Sequence, residues 1–295
     1  MSITLSQLRA FHALARTGRH GLAAEKLRVS QPAITAQIRG LEECYSVRLF
    51  ERVGHEQKLS ELGEQLFATT NQILLLLEEA EGTLTSENDL TGGTLRVGAD
   101  SPIYAMRVIT AFKHTHPTMA VKVDMGSAED ITKKLMGYEI DVAVVTSAST
   151  PTEFYGRPFY DLALTALVPL GHVWTGRSNV SLAEVAANDV ILREPGSVTR
   201  SVFLNALEGQ NLKANVLLQL GTQFAVREAV ASGLGISMEL SGGLRSTVRA
   251  EMIPIEGLED VAKEYVACRK DRATVKKVRE FFKLAKLVSG MADNL

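Results

Sequence analysis

The residues best suited to chemistry lie in one nine-residue run, LREPGSVTR at positions 192–200, where the pattern leaves a strand and enters a helix. Ser197, Thr199 and Arg200 stand together there. Hydroxyls, the free N–H groups of a helix N-terminus and a guanidinium match a small oxyanion such as a carboxylate, sulfonate or phosphonate. Three other predicted strand ends carry similar groups: Ser101 before Pro102, Thr146 beside Ser147, and Thr222 between Gly221 and Gln223. In open α/β sheets ligands sit beyond such strand ends. Ser101, Thr146, Ser197, Thr199, Arg200 and Thr222 are therefore the candidate anion-binding set. Taken singly, each hydroxyl has the simpler role of a helix cap, and Arg200 the simpler role of pairing with Glu194 or a surface carboxylate. Asp100 and Glu239, also at predicted strand ends, are candidates to meet a cationic group on such a ligand, or are solvated or capping acids.

Catalytic patterns are missing. The six His residues (12, 20, 55, 114, 116 and 172) show no metal-ligand spacing, and no nucleophile elbow, P-loop or dinucleotide fingerprint occurs. No catalytic residue, metal or cofactor is predicted. Cys44 and Cys268 are too few and too far apart for a disulfide framework, and read as core residues of a reduced protein. Trp174 and His172 read as surface or lobe-edge packing.

A second set of polar residues lies in the first sixty positions. Leu5, Leu8, Phe11, Leu14 and Ala15 recur at helical steps until Thr17-Gly18. A short helix over Gly21–Leu27 follows, with Leu22, Ala23 and Leu27 placed inward. Ser30 then caps a third helix, Gln31–Glu43, with Pro32 in its first turn and Ile34, Ile38 and Leu41 as its apolar stripe. Two short helices joined by a tight turn, the second with a polar outer face, form a helix-turn-helix. Between Val47 and Leu59 extended residues surround Gly54, with Arg48, Arg52, His55 and Lys58 interspersed. That is a hairpin wing suited to phosphate contacts. The candidate DNA-binding residues are Ser30, Gln31, Pro32, Thr35, Gln37, Arg39, Arg52 and Lys58.

The stretches LSQLRAFHALARTG, LAAEKLRVSQPAITAQIRGLE and VRLFERVGHEQKLSELG resemble the winged helix-turn-helix domain of LysR-type transcriptional regulators over residues 3–63. The family usually has an aromatic residue at position 20, where this chain has His20. It also has basic residues at position 36 and in the wing near His55; Ala36 here moves the readout onto Gln31, Thr35 and Gln37. Within the family, ADSPIYA, MGSAED and LREPGSVTR are similar to the subgroup associated with 2-aminoethylphosphonate catabolism. Loops like LREPGS also occur in other branches.

The elements that must position these groups follow in order. A long helix, about Leu62–Leu84, has too much apolar surface for a lone helix (Leu66, Ile73, Leu74 to Leu77, Ala80, Leu84). It matches the linker through which such regulators dimerise; packing against its own second domain is the alternative. Ser86–Gly93 has a hinge composition. Strands at 94–99, 120–125 and 140–146 alternate with helices at 102–114 and 127–138, and a second series runs through strands at 162–169, 190–193, 216–220 and 236–239, with a helix at 222–232. Strand 263–269 and helix 273–288 return to the first series. Alternation predicts parallel sheets with right-handed crossovers.

The expected fold is α/β: an all-α winged helix-turn-helix head (1–61), a linker helix (62–88), and a bilobal effector-binding domain like the periplasmic binding proteins (93–295). Lobe 1 would hold about 93–161 and 266–295, and lobe 2 about 162–265.

The whole chain of 295 residues carries a net charge of −2, with 45% hydrophobic and 22% charged residues. Residues 1–61 hold nine Lys and Arg against six Asp and Glu, net +3, leaving 23 against 28, net −5, for the remainder. A mean hydropathy of +0.05, no long uncharged apolar run and no apolar signal region predict a cytoplasmic protein without membrane spans. The resemblance implies a regulator with double-stranded promoter DNA, a small anionic effector, RNA polymerase and further copies of itself (a dimer, then a dimer of dimers) as partners. The alternatives are a small-molecule binding protein or enzyme on the bilobal domain, and a regulator without effector.

Overall fold

The computed structural model describes residues 2–53, 56–85, 93–149, 152, 154–242 and 249–290. The wing tip with Gly54 and His55, and residues 86–92 of the expected hinge, lie outside these described residues. The chain divides into two compact units, Met1–Asp89 with Gly137–Glu139, and Leu90–Met136 with Ile140–Leu295.

The first unit opens on helix α1 (Leu5–Thr17). Its start is a capping box: Thr4 accepts from the Gln7 N–H while the Gln7 side chain accepts from the Thr4 N–H, and Gly18 ends it at φ 67°. Helices α2 (His20–Leu27) and α3 (Gln31–Tyr45) follow, α3 capped by Ser30, which accepts from the Ala33 N–H. Phe11 and Leu14 of α1, Ala23 and Ala24 of α2, and Ile34, Ile38 and Leu41 of α3 form one core. Ala10, Ala13, Ala23 and Ala24 are all buried, and their small side chains let the helices cross closely. Leu22 does not pack inward as expected but is 48% exposed. With Ala23, Ala24 and Leu27 on the inward face, position 22 is rotated out by the helical period.

The wing is the antiparallel hairpin β1 (Phe50–Val53) and β2 (Glu56–Leu59), pairing Glu51 with Lys58 and Arg52 with Gln57. The Glu42 carboxylate accepts from the Leu49 N–H at 2.7 Å, tying the hairpin to α3, and the Gln57 N–H donates to the Gly18 carbonyl at 2.9 Å. Helix α4 (Glu61–Thr85) leaves from the hairpin, and a Cβ at Gly63 would overlap the Leu49 carbonyl. Leu62, Leu66, Thr69, Ile73, Leu76 and Ala80 fall at alternating steps of four and three along one face of α4. Leu62, Ile73 and Leu76 of that stripe are 44%, 37% and 53% exposed within the single chain.

The second unit begins with β3 (Thr94–Ala99), α5 (Pro102–Thr115), β4 (Ala120–Met125), α6 (Ala128–Met136) and β5 (Val142–Ser147). Then come β6 (Phe154–Pro169), α7 (Leu182–Ala186), β7 (Asp189–Arg193), α8 (Val198–Gly209), β8 (Asn215–Leu220), α9 (Gln223–Ala231) and β9 (Ser237–Ser241). It closes with β10 (Ala250–Pro254), β11 (Ala262–Arg269), a short 3-10 turn and α10 (Lys276–Gly290). One sheet runs β10-β6-β11-β5-β3-β4 with β9 also on β6, and β7-β8 form a separate parallel pair. The first half of β6 pairs with β11, and its second half with β9 and β10. Thus β6 passes from lobe 1 into lobe 2, and the chain returns through β11. Helix α10 packs Phe281 against Phe112 of α5, ring centres 5.9 Å apart.

Several expectations are corrected here. The sheet is not parallel throughout: β3 pairs in parallel with β4 and β5, but β11 runs antiparallel to both β5 and β6. Hydrophobic periodicity reports burial, not strand direction. The strand expected from Leu162 begins at Phe154, because Gly156 and Pro158 read as breakers; Pro158 adjoins a bulge where β6 inserts Phe159 opposite the Glu264/Tyr265 step. Strand β10 and helix α7 were not expected. Trp174 is buried in the core rather than at the surface, with His172 edge-on to its ring at 4.8 Å, and Cys44 is exposed whereas Cys268 is buried. Among the described residues no helix is long and apolar enough to cross a membrane.

Candidate functional site

The outer face of α3 presents the expected polar residues. Gln31, Pro32, Thr35 and Arg39 are exposed and Gln37 is half-buried. Ser30 and Pro32 serve the start of the helix, so their part is to set its position. The Thr35 hydroxyl donates to the Gln31 carbonyl at 3.2 Å and lies 3.4 Å from His20 Nδ1, which brings the residue that departs from the family pattern against the recognition face. Arg39 donates to Glu43 at 2.6 Å. Both partners are mostly exposed, so this pair is weak and can yield to a phosphate. Arg52 and Lys58 are exposed on the wing.

In the second unit the strand ends of the two lobes converge. A chamber of about 30 Å³, enough for a small polar head, is lined by Asp100, Ser101, Ser127, Thr146, Arg193, Ser197 and Thr199 among others. It adjoins a cleft of about 550 Å³ bordered by Pro102, Met125, Asp130, Thr222, Phe224 and Arg227, with Asp100, Ser127, Arg193 and Gln223 common to both. Four of the expected residues, Ser101, Thr146, Ser197 and Thr199, therefore meet in the chamber, and Thr222 lies at the cleft.

Their roles differ. Thr222 caps α9, accepting from the Ala225 N–H at 3.1 Å. Ser101 and Ser197 occupy the cap positions of α5 and α8 without any side-chain cap bond. Thr4, Ser30, Ser181 and Thr222, by contrast, all cap. The hydroxyls of Ser101 and Ser197 thus stay available at two helix N-termini that open onto one chamber. The Thr146 hydroxyl is committed to Glu264 at 3.0 Å, while its N–H donates to Asp100 at 3.0 Å.

Two candidates are displaced. Arg200 turns away from the chamber, donating to the Arg193 carbonyl at 2.8 Å and to Gln219 at 2.7 Å. The guanidinium that lines the chamber is that of Arg193, the last residue of β7 in the same run; it holds Glu194 through two bonds of 2.7 Å. Burial disfavours the Glu194 carboxylate, but Arg193 and the Glu194 N–H outweigh it and hold its pKa below the usual range. Two of the five Arg193 donors are used there. Glu239 is buried and paired with Arg227, and it accepts from Gln223 at 2.5 Å, so it is not open to a ligand cation.

Asp100 lines both spaces. Burial lifts its pKa to about 6, against the opposing bonds from Thr146 and its own N–H. Glu264 was not foreseen. It is fully buried on β11, and burial together with the neighbouring Asp100 charge pushes its pKa well above the carboxylate range. No local signal in the run AKEYVACR singles out Glu264; the pairing of β11 between β5 and β6 encloses it.

The chain matches the helix-turn-helix family described as bacterial regulatory protein, lysR family, over residues 5–64, and the LysR substrate binding domain over residues 88–288. It is 30% identical over 277 residues to a RuBisCO operon transcriptional regulator of Allochromatium vinosum, covering 92% of each chain. It is 27% identical to the regulator CbbR of Xanthobacter flavus, covering 90% of this chain and 82% of that one. Among solved structures it is similar to a full-length OxyR variant of Pseudomonas aeruginosa, with TM-score 0.76, 22% identity and 98% of each chain covered. It is also similar in fold to CbnR in complex with its target DNA, with TM-score 0.68, 20% identity, and 98% and 100% of the two chains covered. The chain belongs to the LysR family of DNA-binding transcriptional regulators, with the family's effector-binding domain in place of any enzymatic one.

Proposed function

We propose that this regulator responds to a small oxyanion-bearing zwitterion, with 2-aminoethylphosphonate as the specific candidate, held in the chamber between its two lobes. The observation that carries this reading is the pair of uncapped serines. Ser101 and Ser197 each leave a hydroxyl and a helix N-terminus facing a space that Arg193 and Thr199 also line. An oxyanion there gains charge-assisted bonds from several preorganised donors. Asp100, at the junction of chamber and cleft, receives the ammonium.

Recognition helices α3 of a dimer enter successive major grooves, with Gln31, Thr35, Gln37 and Arg39 toward the bases and phosphates, and Arg52 and Lys58 of the wing on phosphates. The stripe on α4 joins the two copies, and pairs of dimers set the spacing of the heads. Ligand changes the angle between lobes, and so the separation of the heads, DNA bending and contact with polymerase, provided it binds the two arrangements with different affinity.

A thermal-shift panel of phosphonates, sulfonates and carboxylates, run on the full chain and on Ser197→Ala, tests the effector reading. An amino-bearing phosphonate should raise Tm in the wild type and far less in the variant. A panel in which no oxyanion raises Tm sinks it and favours a regulator without effector.

A further inference from the structure

Asp100 and Glu264 lie together at the chamber, and neither forms an ion pair within 4 Å among the described residues; the Arg193 charge reaches Asp100 and favours its carboxylate, but no cation acts on Glu264. Thr146 joins them, its N–H on Asp100 Oδ2 and its hydroxyl on Glu264 Oε2, each at 3.0 Å. Glu264 has no exposed surface, and its Oε1, like Asp100 Oδ1, is closed to solvent and accepts no hydrogen bond among the described residues. None of the charged or titratable groups around them makes a hydrogen bond or ion pair to either carboxyl among the described residues. Arg193 at the end of β7 is held by Glu194, and Glu239 on β9 by Arg227 of α9. From α5 the Tyr104 hydroxyl accepts the Gly242 N–H, and from β6 Tyr160, opposite Glu264, accepts from Arg107. Asp130 of α6, in the outer cleft, is held by Ser127.

Two carboxyls enclosed this way do not both ionise at neutral pH. Desolvation penalises each charge, and each charge penalises the other, so the pair titrates as a unit and retains a proton. The bulge opposite Glu264 puts this acid on the strand by which the chain re-enters lobe 1, against the strand ends that form the chamber.

We propose that Asp100 and Glu264 share one proton in the free protein, and that the ligand's ammonium enters beside Asp100 in exchange for it. The proton leaves to solvent, both carboxyls become anionic, and the incoming nitrogen adds to Arg193 the second positive charge that the pair then needs. This rests on the reading that the chamber takes an amino-bearing oxyanion, and it adds the basis of selection: an oxyanion of the same size without the amino group leaves the acid pair protonated and gains nothing from it. Affinity for the amino compound then rises with pH as the proton becomes easier to remove.

The test compares 2-aminoethylphosphonate with ethylphosphonate on the full chain, by calorimetry in buffers of different ionisation enthalpy and by infrared difference spectra against Glu264→Gln. The ammonium makes the phosphonate of the amino compound more acidic than that of ethylphosphonate, so each ligand's own protonation change, titrated free over the same pH range, is subtracted before the two are compared. The expected result is a protonated-carboxyl band at neutral pH in the wild type, absent in Glu264→Gln and reduced by the amino compound alone, with proton release on its binding. Asp100→Asn should lose about tenfold or more of the preference for the amino compound, the scale of one charge-assisted bond. If no such band exists, or the amino compound leaves it unchanged, the exchange is wrong. Equal binding of both phosphonates would keep the oxyanion reading and overturn the ammonium site, whereas binding of neither overturns both.

Discussion

Gly196 approaches Glu129 so closely across the cleft that a Cβ at position 196 would come within 2.9 Å of the Glu129 carboxylate. The loop before α8 therefore touches the first turn of α6, and the two lobes meet at the edge of the chamber. Gly196 also sits at φ +88°, where a side chain is strained. Gly196→Ala should cost about 1 kcal/mol or more of stability through its backbone conformation, while the exposed Glu129 carboxylate swings aside and leaves the approach of the lobes unchanged. Gly171→Ala is the control, since Gly171 has φ +76° with nothing within 4 Å of its Cβ. Thermal melts should show both variants losing similar stability; a much larger loss for Gly196→Ala would mean that Glu129 cannot move aside and that the contact between the lobes is rigid.

The acid pair makes a pH prediction with a definite sign. Asp100 has a folded pKa of about 6, above its unfolded value, as burial dictates, and Glu264 is raised further. The unfolded chain releases these protons first, so stability is fullest below the unfolded values and falls as pH rises through the folded ones. Asp100→Asn and Glu264→Gln should therefore gain Tm relative to wild type at pH 8 and lose that advantage near pH 4. A pH-independent difference in Tm across that range would contradict the raised pKa values.

How far the sequence could be read depended on how local each feature was. The start of α3 was legible because Ser30 and Pro32 act within one turn, and Ala120–Met125 because its limits are set by adjacent turns. The meeting of strand-end residues at one chamber was legible where it depended on a residue's place in its own strand-to-helix turn, as for Ser101 and Ser197. Arg200 was misplaced because two cations in one loop, Arg193 and Arg200, compete for the same space, and only the position of Gln219 on β8 decides which turns away. Glu239 and Glu264 failed for a common reason. Whether a strand-end acid is paired or sealed depends on neighbours distant in sequence, Arg227 for one and Thr146 for the other.

On the DNA-binding head, Lys58→Ala should lower affinity for promoter DNA about equally across sequences and reduce the salt slope by about one, the signature of one lost phosphate contact. Glu43→Ala should act oppositely at low salt, because it releases Arg39 from the partner it holds at 2.6 Å. Fluorescence anisotropy over a salt series measures both. A Lys58→Ala variant with unchanged slope would remove the wing from the phosphate contacts.

The stripe on α4 makes the last prediction. Its alternating steps of four and three match a two-stranded seam, and Leu76, 53% exposed in the single chain, is its most open large side chain. A charge there costs nothing in an isolated helix but must be desolvated in a seam. Leu76→Glu should therefore leave thermal unfolding of the effector-binding domain intact while light scattering shows a smaller assembly. Affinity for a two-half-site operator should fall much more than affinity for a single half-site, since only the former needs both heads on one assembly. Unchanged mass in the variant would move the dimer contact off this face of α4.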